Sequence, residues 1–565
     1  MTSSIETKLK TKLFLSRFRH KQNIRKTKEK FIVMTEYGLV EGVKRISVWR
    51  KPFYSFEKVP FAKPPVGLLR FRKNPIPPES WQGVRDCTKE ADMPIQWNKT
   101  FQHMEGSEDC LYLSIYTTNQ LHPDKLLPVV AWIHGGGFET GSTRKAKYAP
   151  DYFMEKDIVL VLIAYRLNIF GFLSLKDPVF GIPGNAGLRD QIMALKWIKN
   201  NIAAFGGNPH NVTALGHSAG AASINFLLLS DQAVGLFHKA ILMSGSAYCC
   251  WALQPPGNEW TNRLMYHMGY KKQLEECTIL ELLEHADPYD LVSKLSRNLE
   301  TNELRNKLFL PVGPVIEPYT GIHCVIPKDP RLMAPNAWGN HIPVIVGGNS
   351  FEGLIMYPAL KKNSSEFEQL GDCTHLVPAE LELDPNSNEC KRFGRLIRNT
   401  YFGKSTPSLV CFLNLLSHKM FWHGIARFYF SRMKYAHQPT YFYRFDFESL
   451  TYDNHRILHF EGDIRGVSHC DILPYIFYNA MVEDITPDRP EFKMVRIMIS
   501  MSTQFAATGN PNNQEWFPLH WKPGVNKPNA RIICLNLSNQ LSLIDFPENS
   551  CIQVWESMLS AKKPI

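Results

Sequence analysis

Two short groupings in this chain carry residue types suited to covalent chemistry. In Gly216-His-Ser-Ala-Gly220 a serine sits two residues from a glycine on either side, directly after the apolar run Val212–Leu215 and directly before the helical run Ala221–Leu229. That setting is the one a nucleophile elbow needs: the serine occupies a tight turn between strand and helix, glycines admit the close backbone approach, and Oγ projects above the sheet. Without those flanks a GxSxG string arises by chance in a chain of 35 glycines, so its position gives it meaning. The second grouping, His134-Gly-Gly-Gly-Phe138, follows the run Val129–Ile133. Glycines at a strand end let backbone N–H groups turn toward a reacting carbonyl oxygen. With the N–H of Ala219, those of Gly136 and Gly137 make a three-donor oxyanion hole, in which one donor is worth ~3 kcal/mol of barrier. A phosphate cradle fits poorly, because the run lacks the Lys-Ser/Thr of a P-loop and the GxGxxG spacing. The chemistry indicated is acyl transfer through a serine.

A serine at its ordinary pKa needs a histidine base, itself oriented by a carboxylate, and elbow enzymes place them in the chain order Ser, acid, His. Glu352 fits the acid slot, since it follows the run Pro343–Val346 after the turn Gly347-Gly-Asn-Ser-Phe351. Its rival is Glu317 in Pro314-Val-Ile-Glu-Pro318. For the base, His469 in Gly466-Val-Ser-His-Cys-Asp471 lies on a small-residue loop after the run Thr440–Phe447, with His455 and His459 as nearby alternatives.

These groups need a scaffold. Val129–Ile133, Ile158–Ala164, Val212–Leu215, Ala240–Met243 and Pro343–Val346 are nearly continuous apolar runs, as expected of strands covered on both faces. Helical patterns lie between them; Leu188, Ile192, Leu195 and Ile202 mark the apolar face of one that should stop near Phe205-Gly-Gly-Asn-Pro209. Alternating strands and helices predict an α/β fold around a large, mostly parallel twisted sheet with helices on both faces. Residues 31–60 read instead as antiparallel hairpins, followed by a Pro-rich loop. The helical stretches at 258–310 and 387–436 read as insertions. One domain over 31–565 is predicted, preceded by an arm at 1–30.

Composition removes other classes. The 565 residues are 44% hydrophobic and 21% charged, enough for a large core, and no apolar run approaches the ~20 residues that span a bilayer. Ten Lys/Arg against Glu6 and Glu29 give residues 1–30 a net +8 of the chain's +11. The body is nearly balanced, so no nucleic-acid partner is predicted. Within the arm Ile5, Leu9 and Leu13 recur every four residues beside Phe14 and Phe18, with basic residues between them. This predicts a basic amphipathic helix able to rest on an anionic membrane surface; a solvated tail and an organelle-targeting segment are the other readings. No secretory h-region precedes the body, so an intracellular location, in the cytoplasm or at a membrane or lipid surface, is expected, with the N-x-S/T tripeptides incidental. Twelve cysteines without CxxC spacing predict no metal site, and no cofactor is called for.

The motifs together resemble the type-B carboxylesterase and cholinesterase family of α/β-hydrolases. The resemblance rests on Glu108-Asp-Cys-Leu-Tyr-Leu113, His134-Gly-Gly-Gly-Phe138, Gly184-Asn-Ala-Gly-Leu-Arg-Asp-Gln191, Gly206-Gly-Asn-Pro209, Gly216-His-Ser-Ala-Gly220, Phe351-Glu-Gly353 and Phe505-Ala-Ala-Thr-Gly-Asn-Pro511, and spans roughly residues 34–560. It is nearest to insect α-esterase-type carboxylesterases, to which Pro439-Thr-Tyr-Phe-Tyr-Arg-Phe-Asp-Phe447 and Gln553-Val-Trp-Glu-Ser-Met558 are also similar. The resemblance implies Ser218 as nucleophile, Glu352 as acid, His469 as base, and Gly136, Gly137 and Ala219 as oxyanion donors. It further implies a disulfide between Cys87 and Cys110, which a reducing compartment would not preserve, and a substrate-binding role for Trp251. Two departures bear on substrate. His217 stands where cholinesterases carry Glu, and Trp97 is poorly spaced for their choline-binding tryptophan. The expected activity is therefore serine carboxylesterase action on uncharged esters, in detoxification or lipid-ester metabolism. A hormone-ester or lipid-ester hydrolase, and a non-catalytic or stoichiometrically sequestering protein, are the alternatives. Because His469 must be neutral to act, the rate should rise as pH passes roughly 6–7.

Overall fold

The computed structural model of the chain describes residues 2–119, 125–255, 259–295, 312–319, 321, 323–362, 370–452, 464–480, 484–514, 519–526 and 531–559. Its frame is a 13-stranded sheet. The strands in chain order are β1 (Lys26–Thr35), β2 (Gly38–Ile46), β3 (Pro52–Pro60), β4 (Val84–Asp86), β5 (Gln96–Asn98), β6 (His103–Glu105), β7 (Tyr112–Thr117), β8 (Leu127–Ile133), β9 (Val159–Ile163), β10 (Gly207–His217), β11 (Lys239–Met243), β12 (Val344–Asn349), β13 (Thr440–Phe445), β14 (Ile533–Leu537) and β15 (Ser542–Asp545). Across the sheet the order is β1-β2-β3-β7-β9-β8-β10-β11-β12-β13-β14-β15, with β4 against β2, while β5 and β6 form a separate hairpin. Pairing is parallel from β9 and β8 through β10, β11, β12 and β13 to β14, and antiparallel from β1 to β7 and at β14–β15.

The continuous apolar runs are explained by two cores. Along β8, Val129, Ala131 and Ile133 face one core and Val130 and Trp132 the other; along β9, Val159, Val161 and Ile163 divide from Leu160 and Leu162 in the same way. The two-residue side-chain period places every second residue on each face, and both faces are covered. The first core takes Leu188, Ile192, Leu195 and Ile198 from one helix (Ala186–Asn201) and Ile224 and Leu228 from the next (Ala219–Leu229). The second takes Met494, Val495, Met498 and Phe505 from the helix Pro490–Thr508. The fold is the mostly parallel α/β arrangement expected, with hairpins over 26–60 and helical insertions at Glu259–His267, Glu276–His285, Pro288–Leu295, Asn388–Tyr401, Leu409–Leu416 and His423–Tyr435.

Boundaries differ where polar residues conceal an element. β10 begins at Gly207, five residues before the apolar run that announces it, because Asn208–Asn211 are polar and part-exposed. The amino-terminal helix ends at Ile24 and Lys26–Lys30 already belong to β1, so the edge of the arm falls before residue 30. The arm's apolar residues do not form one face. Phe18 is buried against the ring of Tyr478 at 5.7 Å, whereas Leu9 and Leu13, roughly opposite on the wheel, are 61% and 51% exposed. Lys21 pairs with Asp484 at 2.9 Å, and Arg25 pairs with Asp151 and lies over the Tyr478 ring. Among the described residues no helix is long and apolar enough to cross a membrane.

Candidate active site

The site lies at the carboxyl ends of the central parallel strands, where ligands collect in open α/β sheets. β10 runs into the helix Ala219–Leu229 through Ser218, whose φ of 56° and ψ of −122° are rare for a residue with a side chain. Such backbone strain persists only where the surroundings enforce it, and here they do. The Ser218 N–H donates to the Met243 carbonyl at 2.8 Å, and a Cβ at Gly220 would stand 2.0 Å from the Ile133 carbonyl oxygen. Ala219 opens the helix, so its N–H is among those that no carbonyl within the helix can accept.

The glycine run closes on this turn from the end of β8. A Cβ at Gly135 would lie 2.5 Å from the His217 carbonyl oxygen and 2.8 Å from Ser218 Cβ. Only glycine lets this loop come so near the serine. His134 is buried beneath it, its ring stacked on Tyr165 at 4.5 Å, with Nδ1–H donating to the Gly135 carbonyl at 2.9 Å; burial lowers its pKa to about 4. Gln96 fixes the far side of the loop, donating to the Gly141 carbonyl and accepting from the Gly141 N–H.

The expected acid and base meet. Glu352, buried at the start of a short turn after β12, places Oε2 2.5 Å from His469 Nδ1. Its other oxygen accepts from the Asn349 N–H at 2.7 Å. Burial raises Glu352 to about 7, opposed by the Ser244 hydroxyl, the Asn349 N–H and His217, while burial lowers His469 to about 3. The direction for His469 is the useful one: the ring rests neutral, with Nδ1 occupied by the carboxylate and Nε2 left to act as base. The rival Glu317 is elsewhere, in a buried ion pair with Arg189 at 2.8 Å, and accepts from the Val325 N–H at 2.8 Å. His455 and His459 lie outside the described residues.

Other residues of the site had no signature of their own. Two helices, Leu409–Leu416 and His423–Tyr435, are joined without a break by a π-helical turn, Ser417–Trp422. Within it Ser417 Oγ accepts from the Gly353 N–H at 2.8 Å, Trp422 Nε1 donates to the Asn349 carbonyl at 3.0 Å, and the Phe421 ring lies 4.3 Å from that of His469. Trp251 is buried beside this turn, donating from Nε1 to the Met420 carbonyl at 2.8 Å. A π turn shows in sequence only as a one-residue slip in helical period, which no residue type announces.

The implied disulfide is not formed. Cys87 and Cys110 are free thiols, both buried. Cys87 Sγ is turned to the Lys58 carbonyl at 3.5 Å, whereas Cys110 lies among Pro65, Phe71 and Phe170. Burial raises Cys87 to about 12 and holds Cys110 far above the ordinary thiol range, so neither is primed to oxidise. Beyond the glycine loop, whose Phe138 meets Phe172 at 5.1 Å, a narrow cleft of about 20 Å³ is lined by Ile169, Phe172, Leu173, Trp260, Leu295 and Val312 among others.

The chain as a whole has relatives of known class. Residues 29–555 match the Carboxylesterase family. Esterase B1 of Culex pipiens is 34% identical over 543 residues, covering 94% of this chain and 98% of its own length. Juvenile hormone esterase of Tribolium castaneum is 33% identical over 559 residues, covering 91% and 90%. Among solved structures, juvenile hormone esterase from Manduca sexta with OTFP covalently attached superposes with a TM-score of 0.82 at 28% identity, covering 94% of this chain and 99% of that one.

Proposed function

Since the chain belongs to the carboxylesterase family, we propose that Ser218, His469 and Glu352 are its catalytic triad, acting on uncharged carboxylic esters. It is a carboxylic ester hydrolase. On this reading His469 Nε2 takes the proton from Ser218 Oγ as it attacks the ester carbonyl. The N–H groups of Gly136, Gly137 and Ala219 receive the oxyanion, and the imidazolium returns its proton to the departing alcohol. Water then repeats the sequence on the acyl-serine. Glu352 holds the ring in the Nδ1–H tautomer and stabilises its charged form. The 2.5 Å contact between His469 Nδ1 and Glu352 Oε2 beside the strained serine carries the assignment.

Charge and cavity shape support an uncharged substrate. His217, next to the nucleophile, is held neutral by burial, its pKa lowered to about 3. Burial raises the pKa of Glu139, just past Phe138. The cleft beyond Phe138 is walled mainly by aliphatic and aromatic side chains, with Ser174, Gln254 and Thr261 among them. An apolar acyl or alcohol group gains from leaving water in such surroundings. Detoxification or lipid-ester metabolism is the role that fits such a site. Relatives named for hormone-ester hydrolysis favour a second reading, a hormone-ester or lipid-ester hydrolase. A series of nitrophenyl or naphthyl esters of rising acyl length, with Ser218 titrated by an organophosphate, tests both readings. Sustained turnover with an optimum at short or medium acyl chains supports the general esterase, and an optimum at long chains the second reading. Stoichiometric labelling without turnover would overturn the catalytic reading in favour of a sequestering protein.

The arm presents Leu9 and Leu13 to solvent on a helix rich in lysine and arginine while Phe18 anchors it to the body. We read that outward pair with its flanking cations as a contact with an anionic membrane or lipid surface inside the cell. Pelleting with phosphatidylserine vesicles that is unchanged in Leu9→Asp/Leu13→Asp would dispose of this reading.

A further inference from the structure

The general base depends on more than its carboxylate. His217 Nε2 lies 2.7 Å from the backbone carbonyl oxygen of His469, a residue 252 positions later in the chain, and the two rings are 4.6 Å apart. A carbonyl oxygen only accepts, so Nε2 carries the proton and the tautomer of His217 is fixed. The same carbonyl receives Asn349 Nδ2–H at 3.2 Å, and Asn349 also donates to the Ser468 carbonyl at 2.6 Å. His217 is covalently next to the nucleophile, and Asn349 gives its N–H to Glu352. One peptide oxygen is therefore the point at which the elbow, the acid turn and the base loop are joined. That loop has little regular structure of its own to hold it: Gly466 has a φ of 134°, and the Ser468 N–H is spent on the Asp471 carboxylate at 2.8 Å.

We propose that His217 is a positioning residue for the reaction: its Nε2–H holds the His469 carbonyl, so that base and nucleophile move as one unit. The proposal rests on the triad reading above. Burial keeps the His217 ring neutral, so it acts as a fixed donor and places no charge beside the imidazolium that forms during turnover. Its role is then one of geometry. Displacing a base by even a fraction of an ångström costs rate and not substrate affinity, because the ester is held by the pocket and the oxyanion donors.

The test compares His217→Leu, which fills similar space without a donor, with His217→Gln, whose amide Nε2–H can reach the same carbonyl. Both are checked for unchanged melting temperature, beside wild type and Ser218→Ala. His217→Leu is expected to lose about tenfold or more in kcat with KM nearly unchanged, as for one hydrogen bond lost in a positioning chain. The rate of organophosphate labelling of Ser218 should fall by a similar factor, and His217→Gln should recover most of both losses. A Leu variant with wild-type kcat, or Leu and Gln variants equally impaired, would overturn the proposal. If wild type fails to turn esters over, or Ser218→Ala continues to do so, the triad reading fails instead.

Discussion

The rim of the parallel strands and the amino-terminal edge of the same sheet solve opposite problems. At the rim, His134, His217, Ser218, Ser244, Asn349, Glu352 and His469 are all buried, and Ser218 and Ser244 both have a φ of 56°. Polar groups under cover are costly unless paired, and several are tied to residues far away in sequence, Glu352 to His469 and both His217 and Asn349 to the base loop, while the region carries strain that the surrounding packing sustains. At the edge, the arm meets the body through Phe18, one half-exposed ion pair of Lys21 with Asp484, and Arg25. The exposed Lys21 pair contributes little, whereas the Arg25–Asp151 pair, just past the helix, is largely buried. The contrast teaches where precision resides: the rim is over-determined and should respond to a single atom, while the edge should yield without consequence for chemistry.

Six measurements would break or sharpen this contrast. Ser218→Ala should reduce kcat by ~10⁶-fold while circular dichroism and melting stay those of the wild type; residual turnover near wild type would mean the rim is not the site. Glu352→Gln keeps the size of the side chain and removes its charge, and a fall of ~10⁴-fold in kcat is expected. Gly136→Ala would place a Cβ 2.0 Å from the Thr140 carbonyl oxygen at a φ of 121°. The loop must then move, and about 10²-fold should be lost from kcat, as for one oxyanion donor.

The pH dependence comes next in size. Protonating either partner of the His469–Glu352 pair disables the base, and since burial raises Glu352 to about 7, kcat/KM should fall as pH drops below about 7. Stability has its own sign. His134, His217 and His418 have pKa values lowered to about 4, 3 and 4, so below about pH 6.5 the unfolded chain binds protons that the folded one refuses. Their contribution to stability is full above that pH and falls as pH drops from 6.5 toward 4. Glu352, raised to about 7, acts in the opposite direction between about 4.5 and 7, where the folded state holds the extra proton. A melting temperature that rises as pH falls from 6 to 4.5 would show that the carboxyl outweighs the three histidines. The smallest effect belongs to the edge. Phe18→Ala should raise amide exchange across residues 2–24 and leave kcat unchanged, and a fall in kcat would show that the arm reaches the rim after all.

How much of this was legible in sequence follows from how locally each feature is encoded. The strand-turn-helix around Ser218 and the glycine loop are local, so five-residue strings disclosed them. The central strands were visible because burial on both faces makes them continuously apolar. The choice between Glu352 and Glu317 is not local, since both follow apolar runs, and what separates them is partners brought in from elsewhere, His469 for Glu352 and Arg189 for Glu317. His217 was noticed as a departure from relatives, yet its partner is the His469 carbonyl, which no pattern of side chains reveals. The arm was read as one apolar face because spacing alone cannot say that Phe18 turns inward while Leu9 and Leu13 turn out.

The π turn at Ser417–Trp422 has an evolutionary corollary. A helix that accommodates one residue beyond the α-helical count can shed that residue and close up as an ordinary α-helix, so a one-codon deletion there would be tolerated by the fold. The downstream helix would keep its orientation, because the extra residue is absorbed within the turn, and only the turn's own positions would shift, withdrawing Ser417 or Trp422 from the acid turn and Phe421 from His469. The insertion therefore marks a place where lineages could lose or retune the chemistry while keeping the architecture intact, and where indels, more than substitutions, would separate active members from inert ones.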